Sequence, residues 1–192
     1  MLQTGGVAAS GSELIEHDGQ RFLQVERFDR IGARGRRALN SLEALDAEFV
    51  GRGQDWPQTV RALAAQGTVV PEAVPTTELL WAFGTLIANT DMHSGNLAFV
   101  SEQGRPYRLA PAYDMTPMAF APTACGEVLS RPLALRVGDQ VPAQAWRAAL
   151  PLAQTWLARL QRASALSDDF SGCTEQLRAH LDSAAQAIER LG

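Results

Sequence analysis

Between Thr76 and Asp114 the residue pattern changes twice, and this stretch constrains the fold more than any other. Leu79, Leu80, Phe83, Leu86 and Ile87 recur at spacings of one, three and four, which predicts a helix buried at the centre of a domain. The stripe runs directly into Asn89-Thr90-Asp91-Met92-His93-Ser94-Gly95-Asn96, which is too polar to continue a core helix. Leu97 to Val100, a polar turn through Glu102-Gln103-Gly104, and Tyr107 to Leu109 then form a hairpin pattern. Pro111 to Pro117 closes the unit as a loop. Paired strands lie about 4.8 Å apart, so a hairpin leaving Asn96 and returning to Asp114 should bring Asp91, Asn96 and Asp114 together.

Two carboxylates and a carboxamide at one place are hard oxygen ligands, of the kind Mg²⁺ takes when it also carries waters and substrate phosphates. The D-x-x-x-x-N spacing of Asp91 and Asn96 suits phosphoryl transfer. One carboxylate receives or orients the nucleophile's proton, while separate ligands hold the metal. The alternative is purely structural: Asp91 caps a turn, Asn96 makes an Asx-turn and Asp114 is solvated. His93 is either a hydrogen-bonded loop histidine or, from its place between Asp91 and Asn96, a group able to reach a phosphate.

Around this unit the pattern is mostly helical. Leu14 to His17, Asp18-Gly19 and Arg21 to Val25 predict a first hairpin, because Asp-Gly tolerates the positive φ of a tight turn. A polar stretch from Arg30 to Arg37 follows, and Asn40 with Glu43 predicts a capped helix bearing Leu42, Leu45 and Phe49 and ending near Gly51. Asp55-Trp56-Pro57 opens a second helix with Gly67 at its exit, and Pro71 and Pro75 punctuate a loop. Met118 to Pro142 reads as irregular. The last fifty or so residues carry two helical stripes, through Trp146, Leu150, Ala153, Trp156, Leu157 and Leu160, and through Leu177, Leu181, Ala184, Ile188 and Leu191. Pro151 is expected to kink or split the first. The class is α+β, mainly α with small β-hairpins.

Composition removes several functions. A formal net charge of -4 argues against bulk nucleic acid or an anionic membrane as the main partner, although Arg27, Arg30, Arg34, Arg36 and Arg37 cluster. No run approaches the roughly 18 apolar residues that span a bilayer, and no signal pattern opens the chain, so a cytoplasmic location is expected. Cys125 and Cys173 have neither zinc-like nor disulfide-like spacing. All 17 basic residues are arginine. A mechanism that needs a lysine, such as the phosphate-pairing lysine of a kinase small lobe, cannot be completed by these residues alone.

With these motifs in hand, the chain resembles the HipA-like serine/threonine protein kinase family in its C-terminal, large-lobe part. Val25-Glu26-Arg27-Phe28-Asp29-Arg30 resembles the family's hinge, Asn89 to Asn96 its catalytic loop, and Tyr113-Asp114 its equivalent of the kinase D-F-G. The resemblance implies residues 1–30 as a remnant of small-lobe strands and hinge and residues 31–192 as the C-terminal helical lobe. It implies Asp91 as catalytic base, Asn96 and Asp114 as Mg²⁺ ligands, the backbone around Glu26 to Phe28 as the adenine contact, and His93 near the ATP phosphates. Two departures stand out. Ser94-Gly95 occupies the place where the family often has a lysine, and about 24 residues before the hinge leave no room for a Gly-rich phosphate loop.

Three functions follow as expectations. The first is the catalytic lobe of a toxin-type bacterial kinase acting on a protein substrate, inactive alone. The second is a metal-dependent phosphodiesterase or nuclease built on Asp91, His93, Asn96 and Asp114. The third is a non-catalytic fragment or one chain of a split kinase, which should expose apolar surface towards a small-lobe or antitoxin partner protein.

Overall fold

Asp18 and Gly19 both take positive φ, 49° and 73°, as a two-residue hairpin turn requires. Around them β1 (Ser12–His17) and β2 (Gln20–Val25) pair antiparallel, with Leu14 opposite Leu23 and Ile15 opposite Phe22. Opposed residues share a face, so each face of this ribbon carries an apolar cross-strand pair. Every residue of both strands is exposed. The computed structural model describes residues 2–126, 132–163, 166 and 170–191; the part of the irregular Met118 to Pro142 stretch that falls on 127–131 lies outside them.

The polar stretch from Arg30 to Arg37 is more ordered than its composition predicts. Here β3 (Arg30–Ile31) and β4 (Gly35–Arg36) form a short ribbon. Next, β5 (Ala38–Ser41) pairs with β6 (Ala98–Ser101), which pairs with β7 (Arg108–Leu109), all antiparallel. The expected second hairpin is therefore part of a three-stranded sheet whose edge strand comes from the first quarter of the chain. That strand also moves the predicted cap by one residue. Asn40 is a strand residue opposite Phe99, and Ser41 caps α1 (Leu42–Phe49) by accepting from the Ala44 N–H at 3.2 Å.

Asp55 caps α2 (Trp56–Ala65), accepting from the Gln58 N–H at 2.9 Å, and Gly67 leaves it with φ of 69°. The central helix α3 (Ala73–Leu86) starts earlier than its apolar stripe. Pro75 therefore lies in its first turn rather than in a loop, where a missing N–H costs no intrahelical bond. Leu80, Phe83, Leu86 and Ile87 are buried, each such burial contributing roughly 1.5–3 kcal/mol. α3 packs against α2, α4 (Ala143–Leu160) and α5 (Ser171–Glu189). Pro151 does not split α4. Both Pro151 and Arg147 are exposed, so the carbonyl that loses its helical partner is left to water.

Two further ties hold the frame that carries the central loops. Arg61 of α2 donates to Glu78 of α3 at 2.9 Å and to the Gln140 carbonyl before α4 at 3.0 Å. At the N-terminus, Leu2 and Val7 join the main core. Ser10 N–H donates to the Ala112 carbonyl at 2.9 Å, and Ala112 N–H to the Ala8 carbonyl at 2.8 Å. The backbone approaching Asp114 is thereby held by both its N–H and its carbonyl to the N-terminal segment. Among the described residues no helix is long and apolar enough to cross a membrane.

Candidate active site

The polar loop begins with a helix stop. Ala88 takes a left-handed φ of 59°, its N–H bonds the Thr85 carbonyl at 3.1 Å, and the Asn89 N–H bonds the Gly84 carbonyl at 2.8 Å. These two bonds form a Schellman motif that closes α3 and turns the Asn89 side chain into the structure. Asn89 is buried. Its Oδ1 accepts the Asp91 N–H at 2.9 Å, and its Nδ2 points to the Asp114 carbonyl at 3.5 Å. One carboxamide thus touches the backbones of both aspartates. Asp114 has φ of 54°, a region in which aspartate and asparagine are the best-tolerated residues after glycine.

Within the loop, Asn96 Nδ2 donates to the Asp91 carbonyl at 2.9 Å and approaches Asp91 Oδ2 at 3.5 Å. Among the described residues no hydrogen bond engages the Asn96 side-chain oxygen. His93 Nδ1 accepts the Gly95 N–H at 3.0 Å, so the neutral ring carries its proton on Nε2, which lies 3.9 Å from Asp91 Oδ1. A Cβ at position 95 would sit 2.7 Å from His93 Cε1, so this geometry needs Gly95. From beneath, Trp56 Nε1 donates to the His93 carbonyl at 2.9 Å, while the Trp56 indole rests edge-on against Trp81. A Cβ on Gly84 would fall on the Met92 sulfur, so the bare helix surface there seats the loop.

Residues 25–30 reach the same place through aromatic rings. Phe28 lies 6.0 Å from Tyr113 between centroids, and the Tyr113 hydroxyl donates to the Gly95 carbonyl at 3.0 Å. Burial, and then the Asp114 charge, push the Tyr113 hydroxyl above its ordinary pKa, which keeps it a donor. Beside it Arg27 grips Asp29 with two bonds of 2.7 Å each. Those hydrogen bonds hold the Asp29 carboxyl below its ordinary value against the opposing effect of its burial. The Asp29 carbonyl also accepts the Arg37 N–H at 2.9 Å. Arg27 and Asp29 thus form a two-pronged clamp across this charged strand end.

Asp91, His93, Asn96 and Asp114 are therefore brought together, and Phe28 is joined to them through Tyr113. Glu26 stands apart, with an exposed side chain beside Gly11 and its N–H bonded to the Gly11 carbonyl at 2.9 Å. Sequence reasoning counted Asn89 and Tyr113 only as members of the loop-like and D-F-G-like motifs, placed Trp56 only at a helix start, and gave Gly84 no role. A polar residue directly after an apolar helix was the available signal for Asn89. Trp56 gave none, because its indole acts on a residue far along the chain.

Among the described residues no three His, Cys, Asp or Glu side chains form a self-sufficient cation cage. The donor set of Asn96 and Asp114 fits Mg²⁺, which is commonly bound by one or two carboxylates with the remaining positions on phosphates and water.

A helical lobe carrying a polar loop, a hairpin and a returning aspartate is a kinase-like C-terminal lobe, and solved structures share it. HipA of Shewanella oneidensis MR-1, determined with HipB and operator DNA, superposes with a TM-score of 0.69 at 15% identity, over 99% of this chain and 55% of that one. The Helicobacter pylori proinflammatory kinase CtkA gives 0.64 at 13% identity, over 96% of this chain and 79% of that one. The profile of the HipA-like C-terminal domain matches residues 1–190, and the chain belongs to that family. The Escherichia coli (strain K12) toxin YjjJ is 36% identical over 193 residues, which cover the whole of this chain and 43% of that protein. This chain thus spans less than half the length of that relative.

Proposed function

We propose that this chain carries the base-bearing and metal-holding side of an ATP- and Mg²⁺-dependent serine/threonine kinase site of the HipA-like toxin type. A nucleotide-covering portion outside these residues completes it. The observation that carries this reading is the linkage of three distant segments: Phe28 on Tyr113, Tyr113 on Gly95, and Asn89 between Asp91 and Asp114.

In this reading Asp91 takes the proton of a protein hydroxyl, held in orientation by the Asn96 amide and faced by the His93 Nε2–H. Asn96 and Asp114 hold Mg²⁺, which when bound neutralises charge on the phosphate oxygens. His93 lies at the phosphates. At the hinge, no hydrogen bond among the described residues engages the Glu26 carbonyl or the Phe28 N–H. They offer the acceptor and donor that an adenine edge takes.

The phosphate-gripping lysine must come from elsewhere, because the chain has none. The β1–β2 ribbon supports such a partnership. Leu23 is 64% exposed and Leu14 56%, and a lone two-stranded hairpin is marginal in water. A small lobe packed on this ribbon would cover both. Association with an antitoxin-type protein rests on the likeness to HipA, whose structure contains HipB.

Calorimetric titration of ATP with Mg²⁺ tests the proposal. The chain alone should bind weakly and show no measurable turnover, and Asp114→Asn, which keeps the left-handed backbone, should abolish binding. Equal binding by Asp114→Asn overturns the site. DNA cleavage that needs Asp91 and Asp114 but not ATP would instead make the chain a phosphodiesterase.

A further inference from the structure

At the end of the β6–β7 hairpin remote from Asp91 lies a groove of about 570 Å³, a size typical of ligand sites. Its floor is Val70, Val100 and Pro106, and its walls carry Arg37, Arg105 and Arg108. The register explains the grouping. Leu39 pairs with Val100 and Val100 with Arg108, while Arg37, two residues before Leu39, shares their face. The other face of the sheet buries Phe99. Arg105 comes from the turn, where Ser101 Oγ accepts the Gln103 and Gly104 N–H groups at 3.2 and 2.7 Å. Its guanidinium is steadied 5.1 Å above the Phe49 ring.

In a chain of net charge -4 this concentration of cations runs against the whole. Among the described residues none of the three guanidiniums has an ion-pair partner, and Glu102 is the one carboxylate in the lining. Arginine presents a planar fork that matches carboxylates with two parallel bonds.

We propose that this groove docks an acidic, extended peptide segment of a partner protein. The apolar floor takes aliphatic side chains, and the arginine walls take the carboxylates between them. A peptide fits better than nucleic acid, because the groove is only three strands wide and its apolar floor of Val70, Val100 and Pro106 seats aliphatic side chains, which a sugar-phosphate backbone does not offer. β6 rises about 3.3 Å per residue, which puts the groove a full strand length away from Asn96. Docking here therefore stands independently of the phosphoryl-transfer reading. It would hold a substrate or regulator by one segment while another reaches the loop.

Fluorescence anisotropy with a short fluorescein-labelled Glu/Leu peptide tests this, with a Lys/Leu peptide and duplex DNA as competitors. The Glu/Leu peptide should bind, more weakly as salt rises. Arg105→Glu with Arg108→Glu should weaken it by at least about tenfold, and Arg37→Glu should weaken it separately. All three side chains are exposed, so folding, followed by circular dichroism, should persist. Asp114→Asn should bind the peptide as the parent does. Unchanged binding in the charge-reversed variants, equal affinity for the Lys/Leu peptide, or displacement by DNA at lower concentration would overturn the assignment.

Discussion

Replacing Asn89 asks how firmly the two aspartate loops are joined. In Asn89→Ala the contact to the Asp114 carbonyl, 3.5 Å long, contributes little. The 2.9 Å bond from the Asp91 N–H is of ordinary length, and its loss costs about 1 kcal/mol. The shortened side chain also leaves a small void at a buried position. Together these predict roughly 1–2 kcal/mol of destabilisation, or roughly 2–8 °C in melting temperature for a chain of this size. Asn89→Asp separates the contributions. It keeps the acceptor for the Asp91 N–H but buries a carboxyl facing the Asp114 carbonyl, and burial raises the pKa of that carboxyl. A group whose folded pKa is raised contributes stability below its unfolded pKa, near about 4, and loses it as pH rises through the folded value. Asn89→Asp should therefore be the less stable variant at neutral pH and recover towards the parent as pH falls to about 4. Urea unfolding followed by circular dichroism across that range measures both. If Asn89→Ala stays within about 0.5 kcal/mol of the parent, as a free surface residue would, the bridge between the loops is refuted.

Gly95→Ala places a Cβ 2.7 Å from His93 Cε1, so the imidazole must swing away and its ring signals in proton NMR should shift; unchanged signals would contradict the packing. Tyr113→Phe removes the hydroxyl bond to Gly95 and keeps the ring beside Phe28, so a loss of about 0.5–1.5 kcal/mol in urea unfolding is expected. His180 is buried, and burial lowers its pKa against the raising effect of its bond to the Thr85 carbonyl. A histidine with a depressed folded pKa stabilises above its unfolded value and loses that contribution as pH falls below about 6.5. His180→Gln should flatten that part of the pH–stability curve. Asp29, its carboxyl held low chiefly by the Arg27 hydrogen bonds, should contribute fully above about pH 4 and lose its contribution below, a decline absent from Asp29→Asn in acid titration of the fold.

Short-range signals in the sequence were enough for much of this architecture. Asp18-Gly19, Asp55 with Pro57, Gly67 and the stripe from Leu79 to Ile87 act within a few residues, because turn dihedrals, caps and helical faces are set by neighbours in the chain. The D-x-x-x-x-N spacing and the returning Asp114 were visible for the same reason, since one hairpin joins them. Ala38–Ser41 carries no alternation and becomes a strand because β6 lies beside it. Pro151 keeps its helix whole because its face of α4 meets water. Phe28 meets Tyr113, and Trp56 meets His93, across separations that no local pattern encodes. Residue types and spacing therefore set out which groups could do phosphoryl chemistry. Packing alone decided which of them are held together, because a hydrogen bond or ring contact between distant segments exists only after the core that aligns them has formed.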